Sequence, residues 1–567
     1  MLKISKLLNL TEKKKIIYII FFIILLGICE TLTFFFLQPI LNYFNTDKYD
    51  FKIIFFDKFL NIINSSIFIL VALFLTFFIL RSLITIFLSY QRSQLTRMIN
   101  DNLSKRLYSH YLFQDFQFYI NNNSSNFISN IVIEVEKFSY RIIDCLIAII
   151  AETFVILGIL IFLLTFYFYV SVLLFLISLS FFLICYYFYK NKFQKIGYAK
   201  VISDAKKIDN LQKSFYAIQN VKLDHLENFF INKFQVNTEE SSRSYFMLQF
   251  LSDLPKPIIE FFIMIVMSIL IFFVYYFFNF NKQDIFAMLG IFAIAMFRLL
   301  PSFNRIFNSL NQLKYHSSTT DIILDFFKKN PKPVLIESKE EYSGLKESIV
   351  IDNVSFKYDL SNDFIFENIH LIINKNEAIG ICGDSGSGKS TLLNIITFLL
   401  KPTSGKILVD KKPLESIYKL FQSRIGYVPQ KTYLIDGTVI ENIIFGQNEK
   451  SYDHDLFNSV IVDSDLKKFI DNMPEKEKTY IGERGTRLSG GQQQRIGIAR
   501  ALYKKPDILI LDEATNALDE YSEKEIFNTI NNFKNKITII IVSHNKSVLE
   551  NADKVYKIEH NKLTKVK

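Results

Sequence analysis

The sequence predicts an α-helical membrane domain with six transmembrane helices over residues 1–328, followed by an α/β P-loop domain over 346–567. Three observations lead to this fold class. Half of the 567 residues are hydrophobic, and they concentrate before about residue 330, whereas the remainder has an ordinary globular composition. The later part contains a glycine-rich phosphate-binding motif between a strand-like run and a helix-like run. Residues 329–345 are polar and contain two prolines, which is typical of a linker.

Six apolar segments can be drawn in the first part, and most reach the roughly 20 residues that a helix needs to cross a bilayer. They are residues 16–42, 67–90, 143–165, 167–189, 257–280 and 285–308. Lysine and arginine are abundant before the first segment and in the long loops after the second and fourth, which predicts that both termini and these loops are cytoplasmic. Both loops have apolar residues at helical spacing, so we expect them to extend the transmembrane helices. On the outer side, residues 49–64 form an amphipathic stretch that fits an interfacial helix or, alternatively, an ordinary packed loop helix.

The net charge and the cysteines narrow the function classes. The chain carries a formal charge of +10, but most of the positive charge lies beside apolar segments, so nucleic acid is not an expected partner. None of the four cysteines forms a CxxC pair or a ligand cluster, and three lie in apolar runs. This distribution argues against a disulfide framework or a thiolate metal site.

Residues 383–391 read GDSGSGKST and follow the strand-like EAIGIC. This is the G-x-x-x-x-G-K-[ST] pattern in its strand–loop–helix setting, so we predict a site for ATP with Mg²⁺. The backbone N–H groups of the loop suit phosphate, Lys389 suits the terminal phosphates, and the Ser390 hydroxyl suits the metal. The apolar strand ILILDE ends in Asp512, which suits magnesium, and in Glu513, which suits polarisation of the attacking water.

Between these motifs lies LSGGQ, at 488–492, and the combination resembles the ATP-binding cassette of ABC transporters over residues 349–560. The resemblance implies that this signature binds the γ-phosphate held by the P-loop of a second subunit. It also implies that Tyr358 stacks on adenine, that Gln430 links the metal site to the membrane domain, and that His544 contacts the γ-phosphate. The nucleotide contacts so assigned are Tyr358, Gly383, Ser385, Gly386, Gly388, Lys389, Ser390, Thr391, Ser489, Gly490, Gly491 and Gln492. The catalytic set is Glu513, His544 and Gln430, and the metal set is Ser390, Gln430 and Asp512.

Six spans followed by one cassette is the layout of type IV ABC exporter half-transporters. The resemblance therefore implies a dimer, either of two copies of this chain or with a different partner. It also implies coupling helices in the cytoplasmic extensions, for which we favour residues 115–123 and 214–221. Asn516 in ATNALD and Asn545 after His544 depart from the residues common in the family, and neither departure removes a catalytic group.

Charged residues within or near the apolar segments indicate either salt bridges or a cavity for an anionic head group, because charge in a bilayer is costly. The basic candidates for a substrate cavity are Arg81, Lys256, Arg298 and Arg305. The acidic residues available as structural partners are Glu30, Glu152 and Glu260. Arg298 and Arg305 are seven residues apart and should share a helix face, and Pro301 between them is expected to break or kink that helix.

A narrower resemblance rests on FRLLPSFNRI at 297–306, on the following KYHSS, and on CETL in the first apolar segment. These stretches are similar to the PglK family of bacterial flippases. The resemblance implies ATP-driven flipping of a polyprenyl-pyrophosphate-linked oligosaccharide across the bacterial inner membrane, for protein glycosylation or a related glycan pathway. It implies that Arg81 and Arg298 match basic cavity residues, with Lys256 where that family has arginine. Export of another lipid (lipid A type), a peptide or a drug is the alternative.

Overall fold

The chain forms two compact units, one with residues 1–114 and 119–333 and the other with residues 115–118 and 334–567. The computed structural model describes all residues except 1, 47–66, 255, 259, 262–263, 266–267, 269–271, 273–281, 330–341, 360, 450, 483–484, 515–530, 545–548 and 551. The predicted outer helix at 49–64 and most of the predicted linker therefore lie outside the described residues.

Long helices dominate the part of the chain before residue 330. They and the short helices between them are Leu2–Ser5, Leu10–Thr46, Ile67–Leu112, Phe116–Asn121, Ser124–Phe166, Phe168–Tyr216, Ile218–Leu223, Glu227–Asp253, Lys282–Tyr315 and Ser317–Lys329. Within the described residues, four stretches are long and apolar enough to cross a membrane, namely Leu10–Leu37, Phe68–Leu112, Ser124–Phe166 and Gly290–Tyr315. These stretches correspond to the first, second, third and sixth predicted segments. The fourth segment lies in the helix Phe168–Tyr216, and most of the fifth lies outside the described residues.

Two helices continue beyond their apolar segments, where the sequence predicts helical extensions. The helices Ile67–Leu112 and Phe168–Tyr216 contain 46 and 49 residues. At about 1.5 Å per residue they are roughly 70 Å long, more than twice the thickness of the hydrocarbon core of a bilayer, about 30 Å. Short helices, Phe116–Asn121 and Ile218–Leu223, follow these long ones and overlap the two stretches predicted as coupling helices.

The helix Ser124–Phe166 contains two segments with π-helical hydrogen bonding, Ser129–Glu134 and Phe138–Ile143. Glu134, at the end of the first segment, is fully buried and accepts a hydrogen bond from Thr319 Oγ1 at 2.5 Å. Such wide turns are uncommon and often occur at functional sites.

Small residues let the helices of the membrane unit approach closely. A Cβ built at Gly158 would lie 2.4 Å from Thr31 Oγ1, and one at Gly197 would lie 1.8 Å from the carbonyl oxygen of Tyr315. An apolar cluster that includes Phe162 and Phe292, both almost fully buried, fills the space between neighbouring helices. This is the packing expected where helices associate in a membrane through close contact of their backbones.

The helix Lys282–Tyr315 continues through Pro301. Of the two predicted effects, a break at Pro301 is therefore excluded, and a kink stays a prediction. Proline removes one backbone donor, but the regular hydrogen bonds on both sides hold the remaining turns together, as is common in membrane helices.

The second unit contains two sheets. The strands are β1 Ser348–Phe356, β2 Phe366–Asn374, β3 Ala378–Gly383, β4 Ser404–Val409, β5 Lys412–Pro413, β6 Ile425–Val428, β7 Ile508–Asp512, β8 Thr538–Val542, β9 Lys554–Glu559 and β10 Lys562–Lys565. One sheet has the order β2-β1-β4-β5 and is antiparallel, and the other has the order β10-β9-β3-β8-β7-β6. The helices of this unit are Lys389–Ile396, Leu414–Ser423, Val439–Ile443, His454–Asp463, Lys467–Asp471 and Gly490–Tyr503.

In the second sheet, β3, β8, β7 and β6 run parallel to one another. The residues of β7 and β8 are buried throughout, as expected for strands covered on both faces. The carboxyl ends of these four strands meet at one edge of the sheet. The P-loop, Glu513, His544 and Gln430 therefore all follow their strands at that shared edge.

Candidate nucleotide site and intramembrane ion cluster

The P-loop connects β3 to the helix Lys389–Ile396. Gly386 and Gly388 have φ angles of 81° and 98°, which residues with a Cβ rarely adopt. The Lys389 ammonium donates hydrogen bonds to the carbonyl oxygens of Gly383, at 2.9 Å, and Asp384, at 3.0 Å. The loop is thus curled around the lysine side chain, and its glycines adopt the backbone geometry that this curl requires.

Glu513 is the centre of a polar cluster at the carboxyl edge of the sheet. Its Oε1 lies 2.8 Å from His544 Nε2 and 3.6 Å from Lys389 Nζ, while its Oε2 accepts a hydrogen bond from Gln430 Nε2 at 2.7 Å. Lys389 Nζ lies 3.1 Å from His544 Nε2. Three residues that are far apart in sequence, Lys389, Gln430 and His544, therefore meet around the Glu513 carboxylate. This brings together the whole catalytic set predicted from the sequence.

Asp512 lies beside this cluster, at the end of β7, and is buried. Tyr427 donates its hydroxyl proton to Asp512 Oδ2 at 2.9 Å, and the Ser390 hydroxyl lies close enough to this carboxylate to affect its pKa. Burial raises the pKa of Asp512, because desolvation disfavours the charged form. A buried carboxylate beside a serine hydroxyl is a donor set that suits Mg²⁺, so these residues fit the predicted metal.

Tyr358 lies beside the P-loop helix. Its hydroxyl is 3.1 Å from Thr391 Oγ1, and its ring packs edge-on against Phe356. Tyr358 and Thr391 both belong to the predicted set of nucleotide contacts. Their contact keeps the tyrosine ring next to the phosphate-binding loop.

The LSGGQ signature forms the start of the helix Gly490–Tyr503. The Ser489 side chain accepts a hydrogen bond from Gln492 N, and the Gln492 side chain accepts one from Ser489 N at 2.9 Å. This capping box aligns the positive end of the helix dipole with the two glycines. Among the described hydrogen bonds and ion pairs, none joins this signature to the P-loop. Asn516 and Asn545 lie outside the described residues.

In the membrane unit, Glu30 is shared by two arginines. Arg81 Nε lies 2.5 Å from Glu30 Oε2 as an ion pair without hydrogen-bond geometry, and Arg298 Nε donates a hydrogen bond to Glu30 Oε1. The Glu30 side chain is 2% exposed, whereas each arginine side chain is about a quarter exposed, at 23% and 24%. The carboxylate therefore meets both guanidinium groups inside the helix bundle.

A second glutamate, Glu152, is contacted by Ser302 and Arg305, which lie about one and two turns after Arg298 in the helix Lys282–Tyr315. Arg305 Nη1 donates to Glu152 Oε1 at 2.7 Å, and Ser302 Oγ donates to Glu152 Oε2 at 2.6 Å. Arg298 and Arg305 thus both pair with glutamates, as one of the two sequence-based interpretations predicts. Arg298 pairs with Glu30 and Arg305 with Glu152.

A cavity of about 280 Å³ lies against the Glu30 cluster. Its lining residues are Glu30, Thr33, Phe34, Leu37, Phe74, Phe78, Arg81, Ile294, Phe297 and Arg298. Two of the four predicted cavity residues, Arg81 and Arg298, therefore line one space. Arg305 and Lys256 are not part of this lining, and Lys256 is exposed.

Three partners in these clusters were not identified from the sequence. They are Tyr427, which contacts Asp512, Ser302, which contacts Glu152, and Asp144, which pairs with Arg92. A polar side chain one helical turn from a charged residue, as Ser302 is from Arg298, is a signal that could have found one of them.

The ABC transporter transmembrane region family matches residues 16–299, which is half of the chain, and the ABC transporter family matches residues 366–516. The chain belongs to the ABC transporter family. Its exporter-type helical membrane domain is followed by an ABC ATPase domain, which confirms the predicted fold class and order of domains.

Relatives of this ABC transporter differ in the share of the chain that they match. The heterocyst differentiation ATP-binding protein HepA of Nostoc sp. is 35% identical over 49% of this chain and 45% of its own length. An ATP-dependent lipid A-core flippase of Nitrosococcus oceani is 25% identical over 86% of this chain and 81% of its own length. The chain spans less than half the length of the first curated relatives that it matches.

The structure of a bacterial Atm1-family ABC exporter with ATP bound has a TM-score of 0.78 at 18% identity. The match covers 98% of this chain and 95% of that chain. At this identity the likeness shows the fold, and it extends over both the membrane domain and the ATPase domain.

Proposed function

We propose that this ABC transporter is an ATP-driven exporter in which two copies of the chain hydrolyse ATP at two shared sites. The observation that carries the proposal is the meeting of Lys389, Glu513, His544 and Gln430 within hydrogen-bond or ion-pair distance at one sheet edge. Such a constellation of a phosphate-binding lysine and a polarising carboxylate fits phosphoryl transfer to water.

In this proposal the residues of the cluster divide the work. Glu513 orients and polarises the attacking water, and its contact with His544 holds the imidazole near the γ-phosphate position. Lys389 exchanges its two carbonyl partners for phosphate oxygens. Ser390, Asp512 and Gln430 would hold Mg²⁺, which supplies charge neutralisation when bound.

A second copy completes each site, because the signature residues Ser489, Gly490 and Gly491 act across the dimer on the γ-phosphate. The capped helix start supports this role, since free backbone N–H groups at a helix N-terminus suit phosphate. We further propose that the transporter lies in the bacterial inner membrane with its termini and ATPase domain in the cytoplasm, as its lysine and arginine distribution predicts.

For the cargo, we propose a polyprenyl-pyrophosphate-linked oligosaccharide. Two guanidinium groups face one carboxylate in the Glu30 cluster, so this cluster keeps one uncompensated positive charge. It adjoins a cavity, and it lies inside a helix bundle, where an unpaired charge is costly unless a ligand meets it. An anionic head group is the ligand that this charge favours, with arginine suited to bidentate contact with phosphate.

A lipid A type of cargo is the second candidate. It is favoured by the long match to a protein described as a lipid A-core flippase, and the positive cavity does not separate the two lipids. The two candidate lipids differ in their saccharide and in their lipid tail. A measurement of the transport of each lipid is therefore needed to decide between them.

Flipping in proteoliposomes tests both the proposed exporter function and the proposed cargo. The purified chain is reconstituted with fluorescent lipid-linked oligosaccharide or labelled lipid A, and translocation is followed with ATP or with ADP. We expect ATP-dependent movement of the first lipid, loss of this movement in Arg81→Ala and Arg298→Ala, and no loss in Arg97→Ala, whose side chain is 79% exposed. Movement of lipid A alone would overturn the cargo, and ATP hydrolysis without any transport would overturn the exporter function.

A further inference from the structure

Tyr427 lies in β6, the strand that borders β7 on the edge of the parallel sheet. Its register partner in β7 is Ile510, two residues before Asp512. Residues two apart in a strand face the same side, so the tyrosine and the aspartate share one face of the sheet. The length of the phenol side chain bridges the offset and brings its hydroxyl to 2.9 Å from Asp512 Oδ2.

This contact fixes a carboxylate that the sheet alone would leave free to rotate. Asp512 ends its strand, and its side chain is buried, so few other donors reach it. The Tyr427 hydroxyl, from the neighbouring strand, donates a hydrogen bond to it, and the Ser390 hydroxyl of the P-loop helix lies nearby. Because Tyr427 binds Oδ2, it restricts the rotation of the whole carboxylate.

We infer that Tyr427 is a positioning residue for magnesium binding, acting through the carboxylate of Asp512. The inference rests on the proposed ATP and Mg²⁺ site. A hydrogen bond to a ligating carboxylate restricts its rotation before the metal arrives, and the loss of such an outer contact typically weakens metal binding by about 10–100-fold. The ring of Tyr427 packs in the core of the domain, and the hydroxyl alone makes the contact with Asp512.

Tyr427→Phe tests the inference, because it removes the hydroxyl and keeps the ring. The full chain is purified in detergent, and Mn²⁺ binding in the presence of a non-hydrolysable ATP analogue is measured by electron paramagnetic resonance. Binding of a fluorescent ATP analogue in EDTA is measured on the same samples. Tyr418→Phe is the matched control, since Tyr418 packs against Phe398 in the same core and does not contact Asp512.

We expect Tyr427→Phe to raise the Kd for Mn²⁺ by about 10-fold, with nucleotide affinity in EDTA within two-fold of the parent chain. Tyr427→Leu should raise it by a similar factor, because both variants lack the same hydroxyl. Unchanged Mn²⁺ affinity in Tyr427→Phe, or weaker binding in Tyr427→Leu alone, would overturn the inference and leave ring packing as the role of this residue.

Asp512→Asn separates this inference from the proposed site. If the parent chain binds Mn²⁺ with nucleotide and Asp512→Asn loses this binding, the site stands whatever Tyr427→Phe does. If Asp512→Asn binds Mn²⁺ as the parent does, the proposed metal site itself fails.

Discussion

Replacing Glu30 by glutamine should destabilise the membrane domain, because it removes the carboxylate shared by Arg81 and Arg298. The net charge of this three-residue cluster would change from +1 to +2. Breaking a buried ion pair costs about 3–5 kcal/mol. We expect a loss of about 3 kcal/mol, the lower end of that range, because each arginine side chain is only partly buried, at 23% and 24% exposed, and lines the cavity.

Arg298→Gln lowers the net charge of the cluster, whereas Glu30→Gln raises it. Comparing the two variants therefore shows whether stability depends on the charge balance of the cluster or only on the loss of one ion-pair contact. Arg298→Gln leaves Glu30 paired with Arg81 and brings the cluster to neutrality. We expect a loss of less than about 1 kcal/mol, close to that of a partly exposed ion pair. Glu30→Gln should therefore be the more damaging change, although both variants remove one charged group from the same pair.

The free energies of unfolding are measured by titrating the purified chain from mild detergent into sodium dodecyl sulfate. Glu136→Gln, at an exposed glutamate of the helix Ser124–Phe166, is the matched control and should stay within about 0.5 kcal/mol of the parent. Equal losses in Glu30→Gln and Arg298→Gln would refute the charge-balance reasoning. A loss in Glu30→Gln no larger than in the control would refute the ion cluster itself.

Three further predictions concern the ATPase domain, a close helix contact and a buried histidine. Glu513→Gln should lower ATP hydrolysis by at least about 100-fold while a fluorescent ATP analogue still binds, because the amide keeps the side-chain shape and loses the base; normal turnover would contradict its role. Gly197→Ala should cost about 1–3 kcal/mol in the detergent titration, because its Cβ would lie 1.8 Å from the Tyr315 carbonyl oxygen, whereas Gly290→Ala, with no described atom within 4 Å, should cost nothing. Burial lowers the pKa of His316 from 6.5 to about 3, so the unfolded chain binds more protons below pH 6.5 and stability should fall as the pH drops from 6.5 toward 3. His316→Gln should unfold with a shallower pH dependence between pH 7.5 and 5, and equal slopes would contradict the assignment.

In the ATPase domain, sequence reasoning reached individual residues because each motif prescribes its own local structure. GDSGSGKST requires a strand before it and a helix after it, and the structure has β3 and the helix Lys389–Ile396 there. The contact of Tyr427 with Asp512 was out of reach, since it depends on β6 lying next to β7. Strand order is a long-range property that the local pattern does not encode.

In the membrane domain, hydropathy indicated which segments are apolar helices, but it did not indicate how each helix is rotated. Helix rotation decides that Arg298 meets Glu30 and that Arg305 meets Glu152, and several pairings fit the same sequence. Arg92 shows the difficulty, because its partner, Asp144, lies at the start of an apolar segment and resembles a flanking charge. The residues 255–281 are described only in part, so the fifth predicted segment stays a prediction.

The π-helical segment Phe138–Ile143 alters the rotational phase between the two ends of its helix. Glu134 and Glu152 are eighteen residues apart, close to five turns of a regular α-helix, so an uninterrupted helix would align their side chains. They instead contact different helices, Glu134 through Thr319 and Glu152 through Arg305. A single-residue deletion within Phe138–Ile143 would restore the regular repeat and turn Glu152 away from its partners. This helix should therefore tolerate many substitutions in that segment while tolerating no change in its length.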